Sequence, residues 1–174
     1  LVHYTGWTDK YHQIFGGVKP VASSHFNFSL PEASGVTVII ASNENPLLGL
    51  VSMIAPAIAG GNTVVCIASE TFPLSAITFG EVLNASDLPG GVVNLLTGQR
   101  EELIPPLSGH MDVNALVYAD LDEKERKPLE EDAARNLKRI VRIKSANWFS
   151  DEAEGPYPIL DLQEIKTTWH PIGQ

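Results

Sequence analysis

Residues 36–40, Val-Thr-Val-Ile-Ile, are β-branched and almost continuously apolar, the pattern of a strand covered on both faces, as in a parallel sheet. Leu47, Leu48, Val51, Ile54, Ala55 and Ile58 follow at helical spacing, and Gly60-Gly61 supplies the permissive backbone that ends this helix. Residues 62–67 then return to strand. Strand, helix and strand make a βαβ unit, which commits the chain to an α/β class with right-handed crossovers.

The alternation continues. Pro73 stands at a helix start, the helix runs to about Ala85, residues 88–91 turn, and residues 92–96 form a strand. Residues 101–108 predict a brief helix broken by Pro105-Pro106, and residues 113–118 another strand. Pro128 is expected to open a helix with Glu130 and Glu131 in its first turn and Lys138 and Arg139 at its end, matching the macrodipole. Residues 140–144 complete the sheet, their flanking basic residues reading as a solvated strand face.

Upstream, Tyr4, Trp7, Tyr11 and Ile14 predict one short amphipathic helix over residues 2–15. Residues 18–31 contain an alternating strand, most simply one arm of a hairpin whose other arm is 17–22 or lies elsewhere. After residue 144, the acidic stretch 150–158 reads as a linker, and the strict alternation of residues 160–169 as a half-buried strand. The expected organisation is one unit over residues 1–150, including the hairpin 17–31, followed by the linker and terminal strand over 151–174.

A net charge of −9 repels phosphate backbones and anionic lipid surfaces, so neither nucleic acid nor a membrane is an expected partner. The most apolar helix candidate, near residues 47–59, is too short to cross a bilayer. One cysteine, Cys66, forms no internal disulfide, and no stretch resembles a signal peptide, which together fit a reducing, cytoplasmic setting. The five histidines are scattered without ligand spacing, so no metal site is expected.

Several motifs carry a resemblance. The run Pro56-Ala57-Ile58-Ala59-Gly60-Gly61-Asn62-Thr63-Val64-Val65, then Ser69-Glu70-Thr71-Phe72-Pro73-Leu74, and then Leu88-Pro89-Gly90-Gly91-Val92-Val93-Asn94 resemble the coenzyme domain of aldehyde dehydrogenases. Tyr4-Thr5-Gly6-Trp7 is similar to the helix before that family's oligomerisation hairpin, and Glu164-Ile165-Lys166-Thr167 to its terminal strand. The family's large catalytic domain is missing between Lys144 and Leu160, a layout that most resembles the degenerate C-terminal half of the two-part family sixteen enzymes. The resemblance implies a Rossmann-type parallel sheet with helices on both faces plus an oligomerisation-type β hairpin, and a structural role for the domain.

The family's chemistry needs a cysteine thiolate and a glutamate that activates water. Cys66 falls inside an expected strand, next to Ile67, which takes the place of the lysine that family members put on the adenosine ribose. In the loop 42–46 the oxyanion asparagine is replaced by Glu44 when aligned without a gap, or is Asn43 or Asn45 with a one-residue slip. Where the family carries Thr-Gly-Ser against the coenzyme pyrophosphate, this chain has Ala119-Asp120-Leu121. Glu70 matches the ribose-contacting glutamate and stands alone as a vestige.

These substitutions lead to the expectation of a non-catalytic domain, not an enzyme, with no cofactor and no catalytic residue. Its role would be assembly, as a homodimer or with a companion aldehyde dehydrogenase domain, through Phe26 and Phe28 on the hairpin and Ile165, Thr167 and Trp169 on the terminal strand. The alternative is the NAD-binding part of an aldehyde dehydrogenase whose catalytic cysteine lies in another domain or chain. A third reading has the cleft holding some other small ligand.

Overall fold

The computed structural model describes residues 1–143 and 147–173. In chain order the elements are α1 (Val2–Thr5), α2 (Tyr11–Phe15), β1 (Gly17–Lys19), β2 (His25–Ala33), β3 (Val36–Ile40), α3 (Leu48–Ala59), β4 (Thr63–Ile67), α4 (Leu74–Asn84), β5 (Val93–Leu96), α5 (Arg100–Ser108), β6 (Val113–Tyr118), α6 (Glu123–Ala134), β7 (Arg139–Arg142), a 3-10 turn (Asp151–Ala153), α7 (Tyr157–Leu160) and β8 (Gln163–Pro171).

Five strands form a parallel sheet in the order β5-β4-β3-β6-β7. Alternate residues of each strand feed two cores, as the two-residue period of a strand requires. Ile39, Cys66 and Val117 pack with Leu50, Met53 and Ile54 of α3 and Phe79 of α4 on one face. Val38, Ile40, Ile67 and Leu116 pack with Ile104 of α5 and Leu129 of α6 on the other. The fold is therefore the Rossmann-type layering expected, with helices on both faces. A separate antiparallel sheet, β1-β2-β8, stands beside it.

The two sheets are tied by a few buried polar groups. Asn62 is buried, accepts from the Gly35 N–H (3.0 Å) and donates to the Ala57 (3.2 Å) and Leu162 (3.1 Å) carbonyls, so one amide joins β3, α3 and the start of β8. Beside it, Gln163 donates to the Gly60 carbonyl at 2.8 Å, and a Cβ on Gly60 would lie 2.3 Å from that amide nitrogen. Gly61 has φ +83°, a conformation that favours glycine, so the Gly60-Gly61 turn is required for this docking.

Several expected boundaries move. The single helix over residues 2–15 is two short ones, α1 and α2, separated around Gly6-Thr8-Asp9, residues of low helix propensity; Tyr4 and Tyr11 still bury against Ala55 and Ile159. α5 is not broken by Pro105-Pro106. The carbonyls those prolines leave without donors belong to Glu101 and Glu102, which are exposed in the first turn, where water serves instead.

α6 begins at Glu123 and not at Pro128, because Asp122 caps it. Its carboxylate accepts from the Glu125 N–H at 2.9 Å, and Glu125 reaches back to the Asp122 N–H at 3.2 Å. Lys138 and Arg139 accordingly lie beyond its end. Lys138 is buried with its ammonium on the carbonyls of His110 and Val113, not on a solvated strand face. Arg139 donates to the carbonyls of Asp161 (3.0 Å) and Gln163 (2.8 Å), holding β7 to the start of β8. The expected linker 150–158 includes the 3-10 turn and the start of α7, and Lys144 of the expected strand 140–144 falls outside the described residues.

The hairpin partner of β2 is β1, with Gly17 opposite Ser29. On its other side β2 pairs with β8 over nine residues, from His25 opposite Pro171 to Ala33 opposite Gln163.

Candidate functional site

In the sheet order, β4 and β5 lie on one side of β3 and β6 and β7 on the other, so the strand order reverses at β3/β6. The carboxyl ends of the strands at this reversal are the crevice position, the place where open α/β sheets put ligands. The segments that meet over it are 41–45 after β3, 68–72 after β4, the first turn of α5, and 119–122 after β6.

Arg100, the first residue of α5, runs inward beneath this crevice and is only 3% exposed. Its guanidinium donates to the Ala41 carbonyl, lies 3.3 Å from Asp120 Oδ1 and 3.9 Å from Glu125 Oε1, and leaves its Nε without a partner. Asp120 answers it from the opposite wall. Asp120 Oδ2 accepts the Asn43 N–H at 2.7 Å and the Ser42 hydroxyl at 3.2 Å.

The loop that donates is itself held in shape. Ser42 Oγ accepts from the Glu44 (3.2 Å) and Asn45 (3.3 Å) N–H groups, a turn of the kind serine commonly makes with its own backbone. Asn43 Oδ1 accepts the Ser69 hydroxyl at 2.9 Å and the Glu70 N–H at 3.1 Å. Asn43 is thus turned toward the loop after β4.

Glu70 lies in the loop after β4. Its carboxylate accepts the Arg100 N–H, so it already caps the N-terminus of α5. Arg100 itself was missed by sequence reasoning. The signal was present: a cation in the first turn of a helix opposes the macrodipole and needs a partner elsewhere. Ser42 was likewise missed, since its role depends on the distant Asp120.

Cys66 is fully buried in β4, and burial pushes its thiol upward, away from the thiolate that nucleophilic attack requires. Ile67 points into the α5/α6 core and offers no cation to a ligand. No cluster of three or more His, Cys, Asp or Glu suited to a metal occurs among the described residues.

The five residues expected at an interface divide between two faces. In the β2–β8 register Ile165, Thr167 and Trp169 oppose Pro31, Ser29 and Asn27, whereas Phe26 and Phe28 oppose His170 and Thr168. Directly opposite residues share a face, so the phenylalanines lie on one side of the sheet and the β8 trio on the other. Phe26, Ile165 and Trp169 are exposed, Thr167 bonds Ser29 through its hydroxyl, and Phe28 is half-buried.

The sequence profile of the aldehyde dehydrogenase family matches residues 2–142. The chain belongs to the aldehyde dehydrogenase family. Retinal dehydrogenase 2 of Mus musculus is 34% identical over 163 residues, 91% of this chain and 31% of that protein. The crystal structure of PnpE from Pseudomonas sp. WBC-3 has a TM-score of 0.74 at 31% identity, covering 80% of this chain and 28% of that one. PnpE in complex with nicotinamide adenine dinucleotide has a TM-score of 0.72 at 31% identity, again over 80% of this chain and 28% of that one. The chain spans about a third of the length of the curated relatives it matches.

Two expectations are corrected by these findings. The reading of the domain as not an enzyme does not stand, because the family and the relatives at this identity are dehydrogenases. The reading that it has no cofactor fails with it, because solved relatives of the same fold hold NAD. The physical source of both errors is the same: missing groups were weighed within a chain that spans less than a third of those structures.

Proposed function

We propose that this chain is the dinucleotide-binding part of an NAD-linked aldehyde dehydrogenase, with the catalytic cysteine and the general base supplied by another domain or chain. The observation that carries this reading is the crevice at the β3/β6 reversal, with Glu70 at its rim, in a fold that matches an NAD-bound relative. At the ribose end the residues fit: Glu70 is exposed, and a carboxylate oxygen beyond the one engaged by Arg100 is available to a hydroxyl. At the phosphate end Arg100 provides the cation, and Asp120 competes for it.

When bound, NAD supplies the hydride acceptor for aldehyde oxidation. The chain's part is to hold and orient: Glu70 fixes the ribose, and the 41–45 loop presents Asn43 N–H and Ser42 hydroxyl donors toward the crevice. The likeness to the second half of two-part family sixteen enzymes supports a companion domain as the source of the cysteine. A homodimer or that companion domain meets the open edge of β8. No helix among the described residues is long and apolar enough to cross a membrane, and the lone buried thiol suits the reducing cytoplasm.

Calorimetric titration with NAD tests the reading. The chain is expected to bind saturably, and Glu70→Gln to weaken binding by about 10- to 100-fold, the worth of one charge-assisted hydrogen bond. No heat of binding at millimolar NAD overturns it.

A further inference from the structure

Three donors of different kinds converge on one carboxylate in the crevice. Asn43 contributes a backbone N–H, Ser42 a hydroxyl and Arg100 a guanidinium, and all three end on Asp120. A backbone amide, a hydroxyl and a guanidinium aimed at one point are the elements of a phosphate or carboxylate cradle. Here the anion in the cradle is part of the chain.

The cradle is built independently of Asp120. Ser42 is held by the Glu44 and Asn45 N–H groups, Asn43 by Ser69 and Glu70, and the guanidinium of Arg100 by the Ala41 carbonyl. Asp120 is the more exposed partner. It lies in the connection between β6 and α6, outside both elements, and its side chain is 24% exposed, against 3% for Arg100. A buried guanidinium needs a counter-ion; Asp120 is the nearer one at 3.3 Å, and Glu125, whose Oε2 serves the α6 capping box, keeps Oε1 3.9 Å away on the other side.

Resting on the dinucleotide-binding reading above, we infer that Asp120 is a built-in occupant of a diphosphate site formed by Ser42, Asn43 and Arg100, and that a dinucleotide enters by displacing it. The carboxylate keeps the guanidinium paired while the crevice is empty. A diphosphate brings the same charge-assisted hydrogen bonds and frees Asp120 to solvent. The exchange sets the affinity: every ligand phosphate competes with an internal carboxylate held at effectively fixed, high local concentration.

The test is titration of the chain and of Asp120→Ala with NAD and, separately, with inorganic pyrophosphate, following the Asn43 amide resonance as well as the heat. Asp120→Ala is expected to bind both ligands at least about tenfold tighter than the wild type, with the Asn43 amide moving on pyrophosphate addition. Ser42→Ala on that background should take back a large part of the gain. Should Asp120→Ala fail to fold, Asp120→Asn keeps the shape and removes the charge, and it too must gain affinity. Equal NAD binding by wild type and variant overturns the inference and leaves the dinucleotide reading intact. Pyrophosphate binding gained by the variant, with NAD bound by neither protein, upholds the cradle and overturns the dinucleotide reading. A variant that folds and binds neither ligand overturns both.

Discussion

Tyr118 shows how one side chain at the end of β6 couples the sheet to α6. It is buried, and its hydroxyl donates to Glu130, which Arg126 pairs from one turn earlier at 2.7 Å. Burial, then the hydrogen bond to Glu130, pushes its phenol from 10 up to about 12, and that same bond holds Glu130 below the usual carboxylate range. A raised phenol contributes stability that is intact below the unfolded value of 10 and is lost as pH climbs through about 12. The wild type should therefore lose stability between pH 10 and 12, and Tyr118→Phe should lose less over that interval, though it starts lower at neutral pH for want of the hydrogen bond. Urea unfolding at several alkaline pH values checks this, and parallel slopes for the two proteins would show an unperturbed phenol.

At the scale of elements, α6 is set by its cap. Asp122→Ala removes the acceptor for the Glu125 N–H and is expected to cost about 1 kcal/mol, within the usual range for a lost cap, whereas Asp122→Asn retains most of it. A urea midpoint unmoved by Asp122→Ala would place the helix start elsewhere. The comparison also shows what can be read from sequence. β3, α3 and β4 were legible because a β-branched run and a helical apolar period are local signals. The start of α6 was not, because proline at a first helical position was weighed without the capping box upstream of it. Glu70 was singled out through its own short motif. Arg100 and Ser42 were not, because each acquires its role from Asp120, 20 and 78 residues away in the chain. Local pattern fixes the scaffold, and the charge network across its strand ends is a property of the assembled sheet.

At the scale of the whole molecule, β8 carries no further strand on its outer side among the described residues, and the register says which groups that edge offers. Ser34 N–H bonds the Leu162 carbonyl (3.2 Å) and Ile172 N–H the Ser24 carbonyl (2.9 Å), which makes the even-numbered pairs of β2 and β8 the hydrogen-bonded ones. Pro31, opposite Ile165, therefore removes no bond between these strands. By the same alternation the N–H groups of Ile165, Thr167 and Trp169 point away from β2, toward the free edge. An unpaired edge of this length is a template for pairing with a second copy or a companion domain unless something blocks it, and Glu164 and Lys166, exposed and paired with Arg139 and Glu32, are the charged residues on this strand. Ile165→Pro with Thr167→Pro should remove two outward donors while sparing every β2–β8 bond, so the fold survives and only association fails. In sedimentation velocity the wild-type chain is expected as a dimer and the double variant as a folded monomer. Identical sedimentation of the two would move the interface off this edge, to the opposite face where Phe26 and Phe28 stand.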